Sequence, residues 1–299
     1  MFIPLGDNIQ HRSFPFVPCL LIGLNVLVFA YETRMTLEQR GNPSVEIEFA
    51  KDWGLIPADM MKGKVLGLIT HMFVHGGVMH LVGNMLVLWA FAASLEVGLG
   101  YLCFLAFYML WGIVAGLTHA AMDLGSEVPM VGASGAIAGL IGAYTVAYGY
   151  DAKIRCLFFF VVRYVKVEVP AILFGMAWFG GQLWDASSDP QAMAGVAWYA
   201  HIGGFVAGAL TMWMGRSFLE QQLAVGDDGQ PIFVDKDMPP PADAIPTTHR
   251  EIEFLPDCPD QCPHCETDLA QAGELTAGLV RCPNPECERL VYRSEMPVA

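Results

Sequence analysis

Long apolar runs, each bounded by charged residues, set the pattern of this chain. No Asp, Glu, Lys or Arg occurs in Phe14–Tyr31, Val65–Leu95, Val97–Met122, Val128–Tyr150, Val169–Trp184 or Pro190–Gly215. A helix needs about 20 mostly apolar residues to cross a bilayer. The runs therefore predict six transmembrane helices, near residues 15–31, 78–97, 100–122, 133–150, 168–185 and 197–215. Helices are preferred because hydrocarbon cannot satisfy open backbone groups. The alternation of a membrane β-barrel strand is absent from these runs. The expectation is an all-α membrane protein.

Between the runs lie three different kinds of sequence. The 32–64 loop is long for a compact bundle and holds "WGLIPADMMKG", an amphipathic candidate for the interface plane. Residues 217–256 form an acidic linker with "MPPPADAIP" as a stiff extended piece. Residues 257–299 hold five of the eight cysteines. Residues 1–216 are then the membrane domain. Met1–Ser13 is polar, and no small-residue cleavage site follows the first apolar run, so the first helix is expected to stay as an anchor.

Composition sharpens this picture in two ways. Only 15% of the 299 residues are charged, against about 25% in soluble domains. The net charge is −14, and the stretch from Arg216 onward holds 16 acidic against 6 basic residues. That acidity argues against nucleic-acid binding. Lys and Arg favour cytoplasmic loops. Lys153, Arg155, Arg163 and Lys166 all fall in the loop after the fourth run, which places that loop and both termini in the cytoplasm. The 32–64 loop then lies outside despite its five basic residues, which its acidic residues offset.

Polar groups inside membrane helices mark functional candidates. The second helix carries His80 and Asn84, four apart and on one face. Ser134 stands in the first turn of the fourth helix, and His201 about one turn into the sixth. These three helices run in the same direction, so the four groups share one level near the outer surface. Gly135-x3-Gly139 and Gly204-x3-Gly208 allow the fourth and sixth helices to approach closely, which would set Ser134 beside His201. A serine hydroxyl is a weak nucleophile until a base takes its proton, and a neutral imidazole suits that task. His80, Asn84 and the free Ser134 N–H could donate to a developing oxyanion. Each residue alone has a plainer explanation: serine as a packing residue, histidine as a ligand or relay. Their shared depth is what favours catalysis. His71, His75 and His119 are assigned structural roles.

"HMFVHGGVMHLVGNM" (71–85), "GASGAIAGLIGA" (132–143) and "AHIGGFVAG" (200–208) closely resemble the three signature segments of rhomboid intramembrane serine proteases, in the same order. The resemblance covers roughly residues 10–216. It implies a six-transmembrane-helix rhomboid-like bundle with Ser134 as nucleophile, His201 as general base, and His80 and Asn84 at the oxyanion. It implies no cofactor for catalysis, and a substrate that is another protein's membrane helix, cut near its outer end. The fifth helix, with Trp178 and Phe179, would offer a side entrance. One departure stands out: some members carry a tyrosine stacked on the base histidine one turn after the serine, where this chain has Ala138. Another group or packing must orient His201. The expected setting is a bacterial inner membrane. Gly132-Ala133-Ser134-Gly135-Ala136 lacks the second glycine of the soluble α/β-hydrolase elbow.

In the tail, Cys262-x2-Cys265 and Cys282-x4-Cys287 resemble the two knuckles of a zinc ribbon. Four thiolates make a closed, structural zinc site, and the metal would largely specify the fold of so short a domain. A cytoplasmic partner of the ribbon is expected. The runner-up function is a catalytically silent rhomboid-like scaffold that binds transmembrane helices. A Cys282→Ser variant is predicted to lose bound zinc by metal analysis; full retention would refute the four-cysteine site.

Overall fold

The computed structural model describes residues 2–9, 14–39, 43–160, 163–188 and 197–220, with seven short strands beyond them. Two compact units result, Met1–Leu219 and Glu220–Ala299.

Six long helices dominate the first unit: α1 (Phe16–Glu38), α5 (Val78–Leu99), α6 (Tyr101–Met122), α7 (Ser134–Tyr148), α8 (Ala171–Ser188) and α9 (Trp198–Glu220). Three are long and apolar enough to cross a membrane among the described residues: α1, α5 and α6. α7 is apolar but only 15 residues long. Short helices α2 (Pro43–Trp53), α3 (Pro57–Met60) and α4 (Gly67–Thr70) link α1 to α5.

α7 is the axis of the packing. It is apolar all round, and nearly every residue from Gly135 to Tyr148 is buried, as a helix surrounded by other helices must be. Glycines let its neighbours approach. A Cβ on Gly204 would strike the Gly135 carbonyl, one on Gly208 the Gly139 carbonyl, and one on Gly142 the Phe205 carbonyl. α7 and α9 thus interlock over successive turns, the contact that the small-residue spacing predicts. On the other side, Gly135 and Gly139 leave room for Ala115 and Trp111 of α6. Trp111 is fully buried, and its Nε1–H donates to Thr211 Oγ1 of α9 at 3.0 Å.

An all-helical chain is not what forms. Strands β1 (Phe2–Asp7), β2 (Lys153–Phe160) and β3 (Arg163–Pro170) make an antiparallel sheet in the order β1-β2-β3. Residues 153–156 alternate, with Ile154 and Cys156 buried and Lys153 and Arg155 outside; this period of two marks a strand. It is too short to register in a search for long apolar runs. β3 also claims residues 168–170, so α8 starts at Ala171 rather than 168. Asp7 anchors β1 in the bundle. Its Oδ2 accepts from Ser94 Oγ at 2.6 Å and Tyr144 O–H at 2.5 Å.

The segment "WGLIPADMMKG" is helical at Trp53, the last residue of α2, and over Pro57–Met60. The amphipathic helix is α2, which ends at the segment's first residue, with Val45 and Phe49 buried. Leu55 instead exchanges backbone hydrogen bonds with Met130, 2.9 and 2.8 Å, tying the first loop to the loop before α7. Glu96, near the end of α5, accepts the N–H groups of Phe16 and Val17, both at 2.8 Å. These are orphan donors of the α1 first turn.

In the second unit, β4 (Leu223–Val225), β5 (Pro231–Phe233) and β6 (Ile245–Pro246) form one sheet. β7 (Glu253–Phe254), β8 (Glu274–Thr276), β9 (Leu279–Arg281) and β10 (Leu290–Tyr292) form another, ordered β7-β10-β9-β8. Cys258, Cys262, Cys265, Cys282 and Cys287 lie outside the described residues, and so does most of the 217–256 linker.

Filling a glycine contact forces packed backbones apart, at about 1–3 kcal/mol or more. Gly208→Val is therefore predicted to lower the unfolding temperature of the detergent-solubilised protein by several degrees. An unchanged transition would contradict the α7–α9 contact.

Candidate active site

Three helix starts supply the four polar groups. Ser134 is the first residue of α7, His80 the third of α5 and His201 the fourth of α9, with Asn84 one turn beyond His80. At the start of α7 the N–H groups lack carbonyl partners one turn back, and the positive end of the helix dipole points outward.

Ser134 and His201 are in direct contact. His201 Nε2 lies 2.9 Å from Ser134 Oγ. The glycine contacts of α7 and α9 begin one residue after Ser134 and three after His201, which fixes this distance. Ala200, next to His201 in the chain, packs with Leu55, Ala115 and Met130 in a buried apolar cluster.

His80 and Asn84 border the backbone immediately before Ser134. Gly132 has φ +118°, a conformation that favours glycine. A Cβ there would lie 2.7 Å from His80 Cε1 and Nε2 and 3.6 Å from Asn84 Nδ2. The Gly132 N–H donates to the His71 carbonyl at 2.8 Å, which holds this turn. Asn84 Nδ2 is buried without a hydrogen-bond partner among the described residues. Leaving such a donor unmade costs about 1–3 kcal/mol, and an incoming anion would relieve that cost.

The other histidines take different places. His71 is fully buried, and desolvation holds its imidazole down to about 4. His75 is buried against His80, ring centroids 5.1 Å apart. Burial first, then His80, lowers it also to about 4. Both stay neutral at physiological pH. No cluster of metal-ligating side chains occurs among the described residues.

The surroundings of His201 include groups that the sequence did not single out. Gln182 of α8 is buried, with Oε1 2.6 Å from His201 Nδ1. The Trp178 and Trp198 rings stand 6.0 and 5.9 Å from the imidazole. Phe179 stacks on Phe205 of α9 at 4.5 Å and Trp178 on the same ring at 6.0 Å, so both face α9. Ala138 is buried near Gly204. An aromatic ring there would meet the α7–α9 crossing. The only sequence signal for Gln182 is that it is the single amide in the charge-free run 169–184, one turn after Trp178.

The rhomboid domain family matches residues 62–218, more than half of the chain and all four of these site residues, and the chain belongs to that family. It is 30% identical over 181 residues to "Rhomboid protein 1, mitochondrial" of Saccharomyces cerevisiae, a match covering 58% of this chain and 48% of that protein. It is also similar to "RHOMBOID-like protein 5" of Arabidopsis thaliana, 37% identical over 82 residues, covering 27% of this chain and 26% of that one. The chain thus spans about half and about a quarter of the lengths of these relatives.

Gly132→Ala places a Cβ in the left-handed region and against His80. It is predicted to destabilise the protein by about 1–2 kcal/mol, measured by chemical unfolding in detergent. Wild-type stability in this variant would show that the turn tolerates a side chain.

Proposed function

We propose that this protein is an intramembrane serine endopeptidase that cleaves transmembrane segments of other membrane proteins. The observation that carries this is the 2.9 Å approach of Ser134 Oγ to His201 Nε2 at the starts of two interlocked helices. Family membership adds to it.

In the proposed reaction, Ser134 Oγ attacks the scissile carbonyl while His201 Nε2 takes its proton. The carbonyl oxygen becomes an anion beside His80, Asn84 and the Ser134 N–H. Donors preplaced for that charge lower the barrier most. As the intermediate collapses, the C–N bond breaks and His201 returns the proton to the leaving amine. A water, deprotonated by His201, then cleaves the Ser134 ester and frees the second product.

Six spans, formed by the six long helices, go with this proposal, as do cytoplasmic termini and a bacterial inner membrane. α7 measures roughly 22 Å, shorter than the roughly 30 Å hydrocarbon core. If its far end lies at the inner face, Ser134 falls beneath the outer one. The substrate is then a helix that unwinds near its outer end. We further propose residues 217–256 as linker and 257–299 as a cytoplasmic ribbon. There Cys262, Cys265, Cys282 and Cys287 hold a structural zinc, on the strength of their spacing, and a protein partner is bound.

The test is reconstitution in vesicles with a single-span substrate. Wild type should cleave it, while Ser134→Ala and His201→Ala should each lose at least about 100-fold in rate. Equal cleavage by all three would end the proposal, and no cleavage by wild type would favour a silent helix-binding scaffold.

A further inference from the structure

A dyad without a third member leaves the base free to choose which nitrogen carries its proton. Neutral imidazole has one N–H and one lone pair. For His201 to take the Ser134 proton, the lone pair must be on Nε2 and the hydrogen on Nδ1. Nothing in Ser134 enforces this, because a hydroxyl can donate or accept.

Gln182 faces the far nitrogen. Its carbonyl Oε1 lies 2.6 Å from His201 Nδ1 and can only accept. With the amide in this orientation Nδ1 donates, and Nε2 keeps its lone pair toward Ser134 Oγ at 2.9 Å. The group facing the far nitrogen of a histidine decides which tautomer it adopts. Burial of Gln182 excludes most of the water that would compete for Nδ1.

α8 is held so as to keep this contact. Gly175, Trp178 and Gln182 fall at i, i+3 and i+7, one face of the helix. A Cβ on Gly175 would overlap Thr145 of α7, so the glycine brings α8 against α7 two turns before Gln182. Trp178 packs on His201 and Phe205, both at 6.0 Å. Ala138 leaves no ring on the α7 side of the imidazole to share the task.

We infer that Gln182 is a positioning residue: its side-chain carbonyl fixes His201 in the Nδ1–H tautomer and aims Nε2 at Ser134. This rests on the proteolytic role proposed above. Gln182 touches neither substrate nor nucleophile and acts only through His201.

The full chain in vesicles tests this, with Gln182→Leu and Gln182→Glu beside Ser134→Ala. Gln182→Leu removes the acceptor at similar volume and should lower kcat about 10- to 100-fold with KM within about twofold. Gln182→Glu offers a carboxylate that can accept from Nδ1–H and should restore most of kcat. In parallel, ¹⁵N NMR of the ring nitrogens, assigned with His201→Ala, should show the proton on Nδ1 in wild type and a tautomer mixture in Gln182→Leu.

Wild-type kcat in Gln182→Leu would overturn the inference. So would a Gln182→Glu as slow as Gln182→Leu, or a wild-type His201 protonated on Nε2. Cleavage that persists in Ser134→Ala would overturn the dyad instead. The NMR measurement needs no turnover, so it decides the Gln182 contact in either case.

Discussion

Everything at the site depends on how closely two backbones approach. In lipid no hydrophobic force drives one helix against another, so contact comes from van der Waals packing. That packing needs residues without side chains where the helices cross. Gly204 and Gly208 of α9 press on the carbonyls of Gly135 and Gly139 of α7, and Gly142 presses on that of Phe205. The crossing sets the relative height and rotation of the two helices. Ser134 begins the first turn of one, and His201 lies one turn before the crossing on the other. Their hydrogen bond follows from the glycine register.

The surrounding elements hold that geometry from other directions. α6 fills the far side of α7 with Ala115 and Trp111, and Trp111 reaches across to Thr211. The first loop is tied to the chain entering α7 by the Leu55–Met130 backbone pair, and Gly132 is tied to His71. A turn that must pass beneath the His80 and Asn84 side chains has room only for glycine. Buried carboxylates serve the frame: Glu96 caps α1, and Asp7 joins β1 to α5 and α7. Both accept hydrogen bonds, which offsets much of the cost of burying a charge.

The helices were legible because each apolar run ends at a charge. Observed starts agree with the predicted helix starts to within a few residues. Ends agree less well: α1 runs on to Glu38, because residues flanking the apolar stretch extend a helix without adding hydrophobicity. The sheet was not legible, since residues 153–170 alternate too briefly beside the long runs. The residues now in contact, Ser134 and His201, could be paired in advance because small-residue spacing is a local pattern with a geometric consequence. Gln182 could not. A single amide in an apolar helix carries no spacing signature, and its meaning comes only from α8 being pressed onto α7 through Gly175. The missing ring at Ala138 showed that something else must hold His201, but not which residue.

An imidazole nitrogen 2.9 Å from Ser134 Oγ should make this one hydroxyl reactive when no substrate is present. The most direct measurement is labelling of the membrane-embedded protein with a fluorophosphonate, followed by mass spectrometry of the adduct. A single modification on Ser134 that disappears in His201→Ala is the predicted result. Labelling at another residue, or labelling of Ser134 that is indifferent to His201, would contradict a dyad built on the α7–α9 crossing.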